Sequence, residues 1–385
     1  TNTLEYALSL DVKSLQLGDI LQNRDIGQLS MTVGSKGKGN SIYDLTAEFS
    51  SSIDSIRYAD YTYSTMKLNG KIKKGQGDLK FDYDDDNLKL NLISKIDLDS
   101  LSSQIDTEID LEGIRTKKLG LTEKDLRAEV LAKLQFKGNL DDFSLNANLN
   151  EGLVIYEEKP YNIGDINFTS TLDATQTKAD FSSAFLNFNL NANANIEAIS
   201  KAITTHFKRH FESDFCESET IADSPVKLDV DLNFIETPIL SEVFMEGIQE
   251  MDTLKSSLRY DEGKQTLTTT ASLPHLKFND GEINNLQFEL DSDENAFTFN
   301  FGFENIKASP FNIAQTELSG EFKNKRLDVN LKAIKDDATF FNSSISTTFE
   351  DDGLYRIKLS PENLILNGNP WSIPENNEIV YQDSA

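Results

Sequence analysis

The residues with most chemical potential in this chain are two histidines four apart, His206 and His210, with Glu212, Asp214 and Cys216 just after them. Imidazole, carboxylate and thiolate together make a zinc ligand set, and positions i and i+4 share one helix face. The set is incomplete for hydrolysis. A metalloprotease helix carries Glu directly after its first His as general base, and Phe207 stands there instead. Phe207 and Phe211 mark an apolar face, which places the histidines beside it, with Lys208 and Arg209, on a solvated side of the helix. Asp82, Asp84 and Asp86 imitate the opening of a calcium loop. Asn87 then replaces the required Gly and Ile93 the bidentate Glu, so the segment reads as a polar hairpin tip. His275 has no nucleophile or carboxylate as a sequence neighbour. The sequence contains no glycine-rich phosphate loop, no Gly-x-Ser-x-Gly elbow and no paired-cysteine cluster. No metal and no cofactor is expected, and the chain reads as a protein that is not an enzyme.

The elements that would position any such residues announce themselves by period two, the spacing that puts alternate side chains on one face of a strand. Clear runs are Leu88, Leu90, Leu92; Phe143, Leu145, Ala147, Leu149; Leu186, Phe188, Leu190, Ala192, Ala194; and Leu228, Val230, Leu232, Phe234. Two more follow, Phe297, Phe299, Phe301, Phe303 and Leu327, Val329, Leu331. Asn, Asp, Lys, Ser and Thr fill most intervening positions, so one face is dry and the other wet, as in antiparallel sheets. Short turns of Asn, Asp and Gly, such as Asp351-Asp352-Gly353, imply hairpin after hairpin. An aromatic lead-in, a short turn and an alternating strand recur irregularly, from Tyr63, Tyr161, Phe278 and Phe311, which suits an array of strands without a fixed period.

Two segments leave that pattern. Ile196, Ile199, Ile203, Phe207 and Phe211 recur at threes and fours, which predicts an amphipathic helix over 196–211. Leu240, Val243, Phe244, Ile248 and Met251 predict a second from Pro238 to about Leu254, with the proline in its first turn. The expected organisation is one continuous elongated domain: a groove-forming part over 1–195, a helix-containing segment over 196–255, and a second groove-forming part over 256–385.

Composition agrees with a one-sided sheet. Only 38% of the 385 residues are hydrophobic, yet 24 are Phe, which a disordered chain would lack. The net charge of −27 is spread along the chain and would repel phosphate backbones, so nucleic acid is not expected as a partner. One cysteine, Cys216, excludes an intrachain disulfide. No apolar run reaches the roughly 18 residues of a membrane-spanning helix. The opening, strand-like from Leu4 onward, reads as part of something longer whose anchoring segment is missing.

The apolar face then has two readings. In one it is a sandwich core, meeting a second sheet about 10 Å away. In the other it lines an open trough for a guest with long hydrocarbon chains. Periodicity alone favours the packed core.

Several stretches shift that balance: Val12-Lys-Ser-Leu-Gln-Leu-Gly-Asp-Ile-Leu, Asp25-Ile-Gly-Gln-Leu-Ser, Gly37-Lys-Gly and Arg57-Tyr-Ala-Asp-Tyr-Thr-Tyr-Ser-Thr-Met-Lys-Leu-Asn-Gly. With Asp84-Asp-Asp-Asn-Leu-Lys-Leu, the helix at 196–211, and Leu366-Asn-Gly-Asn-Pro-Trp-Ser-Ile-Pro-Glu-Asn-Asn-Glu-Ile-Val-Tyr, the chain resembles the TamB family of the AsmA-like superfamily in its Bacteroidetes-type form. The resemblance implies an elongated, curved antiparallel β-groove, the β-taco, here mainly β with two short amphipathic helices. It implies a periplasmic location, an inner-membrane anchor and a C-terminal domain outside this chain, and membrane contact only through those absent parts. It also implies phospholipid movement between the two membranes, or outer-membrane protein assembly beside an Omp85-family barrel. The family carries no catalytic residues over.

The expected function is a passive conduit for phospholipid acyl chains. Its lining would be Leu88, Leu90, Leu92, Phe143, Leu145, Leu186, Phe188, Leu190, Leu228, Val230, Leu232, Phe297, Phe299, Phe301, Phe303, Leu327, Val329 and Leu331. The alternatives are a scaffold or chaperone that adds client strands at a sheet edge, and a purely structural β-solenoid with a filled core.

Overall fold

The structure, a computed structural model, describes residues 3–59, 61–211, 224–308, 311–335, 337–350 and 354–382. The chain is mainly β, and its contacts separate two compact units: Thr1–Asp173 with Asp180–Ala184, and Ala174–Ala179 with Phe185–Ala385.

In the first unit the strands β1 (Glu5–Gln16), β2 (Ile26–Lys38), β3 (Thr46–Tyr58), β4 (Tyr61–Lys73) and β5 (Gln76–Asp84) are followed by β6 (Leu88–Asp97), β7 (Ser103–Arg115), β8 (Leu126–Gly138), β9 (Phe143–Tyr156) and β10 (Lys159–Asp173). Each pairs antiparallel with the next in an open meander. Two-residue turns with both central φ angles positive close the hairpins at Lys74-Gly75 and Glu157-Glu158, the geometry that matches strand twist. Helix α1 (Leu17–Leu21), which periodicity does not announce, turns the chain between β1 and β2.

After β11 (Gln176–Ser182) comes the ladder of the second unit, formed by β12 (Leu186–Ala192), β13 (Lys227–Phe234), β14 (Ile248–Met251), β15 (Leu254–Asp261), β16 (Thr266–Phe278), β17 (Gly281–Ser292) and β18 (Ala296–Phe303). It continues through β19 (Asn305–Ala308), β20 (Phe311–Ile313), β21 (Thr316–Lys323), β22 (Arg326–Lys335), β23 (Ala338–Phe349) and β24 (Leu354–Leu359) to the short β25 (Ile365–Leu366), β26 (Asn369–Pro370) and β27 (Ile379–Gln382). The long strands pair in the order β12, β13, β15, β16, β17, β18, β21, β22, β23, β24, again antiparallel throughout. Helix α2 (Ile196–Phe211) matches its predicted span. The helix expected from Pro238 to about Leu254 is a single π-helical turn, Leu240–Phe244. Gly247, at φ +100°, ends it, and Ile248–Met251 instead pairs with β16 as β14. No helix among the described residues is long and apolar enough to cross a membrane.

In each unit the ladder is interrupted along a line that crosses the strands. In the first unit, pairing slips or drops out near Ser14, Ser30, Asp54, Thr65, Glu112, Glu151 and Gly164. Ser14, Thr65, Glu151 and Gly164 have positive φ, the mark of bulges that bend a strand and sharpen its twist. In the second unit, Pro274 and Asn285 drop out between the pairs Leu273–Leu286 and His275–Asn284, and the register slips again between Ala333 and Ile334. Pro274 thus sits inside a strand, not beside one, at a point where the ladder is already interrupted and a missing N–H costs little. Curvature comes from these bulges, and period two does not reveal them.

Candidate functional site

Cross-strand register decides which side chains share a face, because direct antiparallel partners point the same way. In the second unit Phe188 opposes Leu232, Phe288 opposes Phe301, Phe301 opposes Leu318, and Leu318 opposes Leu331. The neighbouring row runs through Leu190, Val230, Leu258, Thr269, Leu290, Phe299, Gly320 and Val329. Leu186, Leu228, Phe297, Phe303 and Leu327 fall on the same face by the same pairings. In the first unit Leu90 opposes Leu111, Leu92 opposes Ile109, and Phe143 and Leu145 oppose Gly138 and Phe136. Leu88 joins that face opposite Ile114. Within each unit, the predicted lining residues therefore form one apolar surface.

That surface is not a sandwich core. Of the predicted lining residues only Leu228 is fully buried, and the rest are half-buried and keep part of their surface in water. A second sheet packed face to face would have removed them from water. Some rings lie flat on the sheet: a Cβ at Gly320 would meet the Phe299 ring at 2.3 Å, and one at Gly70 would meet Phe49 at 2.3 Å. Glycine at these two places leaves room for the aromatic side chain of the adjacent strand. The opposite face is held by exposed cross-strand ion pairs such as Lys71–Glu48 at 2.5 Å, Lys133–Glu108 at 3.4 Å and Arg259–Asp231 at 2.6 Å, each worth little alone.

Helix α2 lies on the apolar face of the second unit. Ala202 packs with Ala192, Ala194, Val226, Leu228, Tyr260 and Leu267, flanked by Ile199 and Ile203. The Tyr260 hydroxyl donates to the Ala202 carbonyl at 3.0 Å. The expectation that His206 and His210 stand on a solvated helix side is corrected here. His206 is 2% exposed, with Nε2 at 2.9 Å from Ser292 Oγ, and His210 Nε2 lies 3.0 Å from the same oxygen. Burial, then the positive field of His210 and Arg209, pulls the His206 imidazole down to about 4. His210 is lowered too, first by burial, although the Asp293 backbone opposes the shift. The two ends of the helix are more open: Ile196 is 60% exposed and Phe211 52%. From Phe211 a chain of rings runs through Phe322, Phe349 and Tyr355 to Tyr381, with centroids 5.0, 5.4, 5.4 and 5.9 Å apart.

In the first unit a different cluster pins the face near the bend. Asp85 accepts hydrogen bonds from the hydroxyls of Tyr61 and Tyr83 and from the backbone N–H groups of Asn87 at 2.7 Å and Leu88 at 2.8 Å. Burial alone would raise its carboxyl, but these four donors outweigh burial and hold it below the ordinary carboxylate range. Tyr63 donates to the carbonyl of fully buried Leu119 at 3.3 Å. Sequence inspection singled out Asp82, Asp84 and Asp86 at this hairpin and missed Asp85, whose partners in β4 lie more than twenty residues away.

Glu212, Asp214 and Cys216 lie outside the described residues. Among those described, no group of three or more His, Cys, Asp and Glu side chains is placed to hold a metal ion. His275 does have acidic neighbours in space, with Nε2 at 3.8 Å from Glu250 Oε2 and Nδ1 at 3.9 Å from Glu282 Oε1, while Nδ1 lies 2.7 Å from the amide oxygen of Asn284. No protein-family model and no curated protein matches the chain. The family resemblance therefore rests on the sequence motifs.

Proposed function

We propose that this chain is a stretch of a periplasmic conduit for phospholipid acyl chains between the inner and outer membranes, working without catalysis. The supporting observation is an apolar surface, continuous through cross-strand register within each unit and left partly in water. Such a surface gains free energy from hydrocarbon at about 25 cal/mol per Å² removed from water, without directional bonds, so selectivity among acyl chains is low. The acidic polar face suits a wall turned toward water. The sequence resemblance to TamB supplies the location and the membrane anchor outside this chain.

Phe301→Asp tests the reading. Phe301 lies between Phe288 and Leu318 and is half-buried, with part of its surface in water, so the carboxylate reaches water and the variant stays folded. Mass spectrometry of the purified protein should find phospholipid with the wild type and several-fold less with the variant. Full lipid loading of a folded variant would remove this face from the path.

A second reading, strand addition to client outer-membrane proteins beside an Omp85-family barrel, draws support from β1. Among the described residues it pairs with β2 alone, and it leaves Leu8 51% and Leu10 42% exposed. Proline substitutions in β1 should abolish client binding under that reading and leave lipid loading intact.

A further inference from the structure

The seat of helix α2 is built unlike the rest of the apolar face. Leu228, Tyr260, Leu267, Ser292, Phe297 and Phe322 are direct cross-strand partners in turn, a row that crosses β13, β15, β16, β17, β18 and β21. Five strand spacings of about 4.8 Å make this row roughly 24 Å long. Helix α2 has 16 residues, which is also about 24 Å. Its contacts follow the row in order: Ala202 at Tyr260, His206 at Ser292, and Phe211 at Phe297 and then Phe322. The helix therefore runs along the groove direction, across the strands, as an extended acyl chain would. An acyl chain in a bilayer occupies about half of the roughly 30 Å hydrocarbon thickness, so α2 covers more than one chain length.

The seat is mixed in character. Ala202, Ile199 and Ile203 pack on the sheet and Phe207 and Phe211 touch Phe297 and Phe322, but the centre of the contact is a histidine, and Phe211 keeps about half of its surface in water. Two polar groups of the row meet the helix: the Tyr260 hydroxyl reaches the Ala202 carbonyl, and Ser292 meets His206, whose Nδ1 is buried with no hydrogen-bond partner among the described residues. The row through Phe288, Phe301 and Leu318, two steps nearer the bend, takes no part in the contact.

Resting on the conduit reading, we propose that α2 is a displaceable cover: it occupies an acyl-binding strip of the second unit, and hydrocarbon competes with it for that strip. When the helix leaves, His206 returns to water and hydrocarbon takes over the apolar contacts of the row, so the strip exchanges a partly polar occupant for a wholly apolar one. The groove therefore holds less lipid with α2 seated than with α2 released.

The test uses the whole 385-residue protein and vesicles of phosphatidylethanolamine and phosphatidylglycerol at 3:1. Amide hydrogen exchange is read over 199–210 together with the lipid bound per chain. With vesicles present, exchange in α2 should rise at least tenfold while β16 and β17 stay protected. Ala202→Asp, which places a carboxylate in the buried seat, should bind about twice as much lipid. His206→Leu, which makes the seat wholly apolar, should slow lipid uptake several-fold, and it decides the matter if Ala202→Asp fails to fold. Lipid bound with α2 exchange unchanged and His206→Leu indistinguishable from wild type would overturn the cover and leave the conduit standing. No lipid bound by wild type or by a folded Ala202→Asp variant would overturn both.

Discussion

The cluster around Asp85 in the first unit and the seat of α2 in the second solve one problem in opposite ways. Each places a titratable group at the apolar face of a sheet. Asp85 is surrounded by four donors, so its charge is stabilised in place and the hairpin carrying it is fixed to β4 and β5. His206 has one polar partner on the sheet, its second nitrogen has none among the described residues, and it is held neutral. A fully satisfied polar network makes a permanent joint, whereas a half-satisfied one lowers the cost of separation. The contrast marks which part of each face is built to stay and which to move.

The most severe test of the fixed joint is Asp85→Ala. It strands two tyrosine hydroxyls and two backbone donors, so the first unit should lose about 4 kcal/mol of stability in urea unfolding. A loss under 1 kcal/mol would erase the contrast. Acid should act instead on α2. Neutral His206 sits at about 4 against an ordinary value of 6.5, so its seating free energy is fully present above pH 6.5 and is lost as pH falls toward 4. Protonation brings a positive charge against His210 and Arg209, with only Ser292 and Tyr260 facing it from the sheet. By pH 4 the seat should be weaker by about 3 kcal/mol, read as faster amide exchange in α2 while strand amides hold. An α2 equally protected at pH 7 and pH 4.5 would show a joint as rigid as that of Asp85.

Ser292→Ala sharpens the comparison at smaller scale. Both histidines lose the shared hydroxyl, and α2 should loosen by about 1–2 kcal/mol without change in the first unit. Lys71→Ala, which breaks an exposed ion pair on the polar face, should shift neither unit by more than about 0.5 kcal/mol. A larger effect would mean that the polar face contributes to the fold beyond its role as a solvated wall.

Much of this was legible in the sequence, and the limits have physical causes. Runs such as Phe297 to Phe303 reveal their common face because strand geometry forces alternate side chains together. Whether another layer covers that face is a fact about distant chain, and here the surface that Leu90, Phe188 and Phe301 keep in water decides it. Helix α2 was visible in its spacing of threes and fours, but its seat was not. The stripe of Ile199, Ile203, Phe207 and Phe211 does reach the sheet, but the burial of His206 beside it depends on Ser292, 86 residues farther along the chain. The bends stayed hidden because Ser14, Thr65 and Glu151 are ordinary polar residues whose φ angles alone make them bulges.

Those bends give the chain something like a reading frame. In β9 the apolar face is carried by Phe143, Leu145, Ala147 and Leu149, then beyond the bulge by Gly152, Val154 and Tyr156. Between β16 and β17, where Pro274 and Asn285 are skipped together, the register is the same on both sides, from Leu273–Leu286 to His275–Asn284. At the bulge of β9 odd positions hand over to even ones. A point substitution at Glu151 leaves the bulge in place, whereas deletion of this one residue would make the alternation of β9 continuous against β8 and take away its bend. Such a protein should tolerate drift in the identity of its lining far better than the loss or gain of a single residue at a bend, so among its descendants length within a strand should be kept more strictly than sequence.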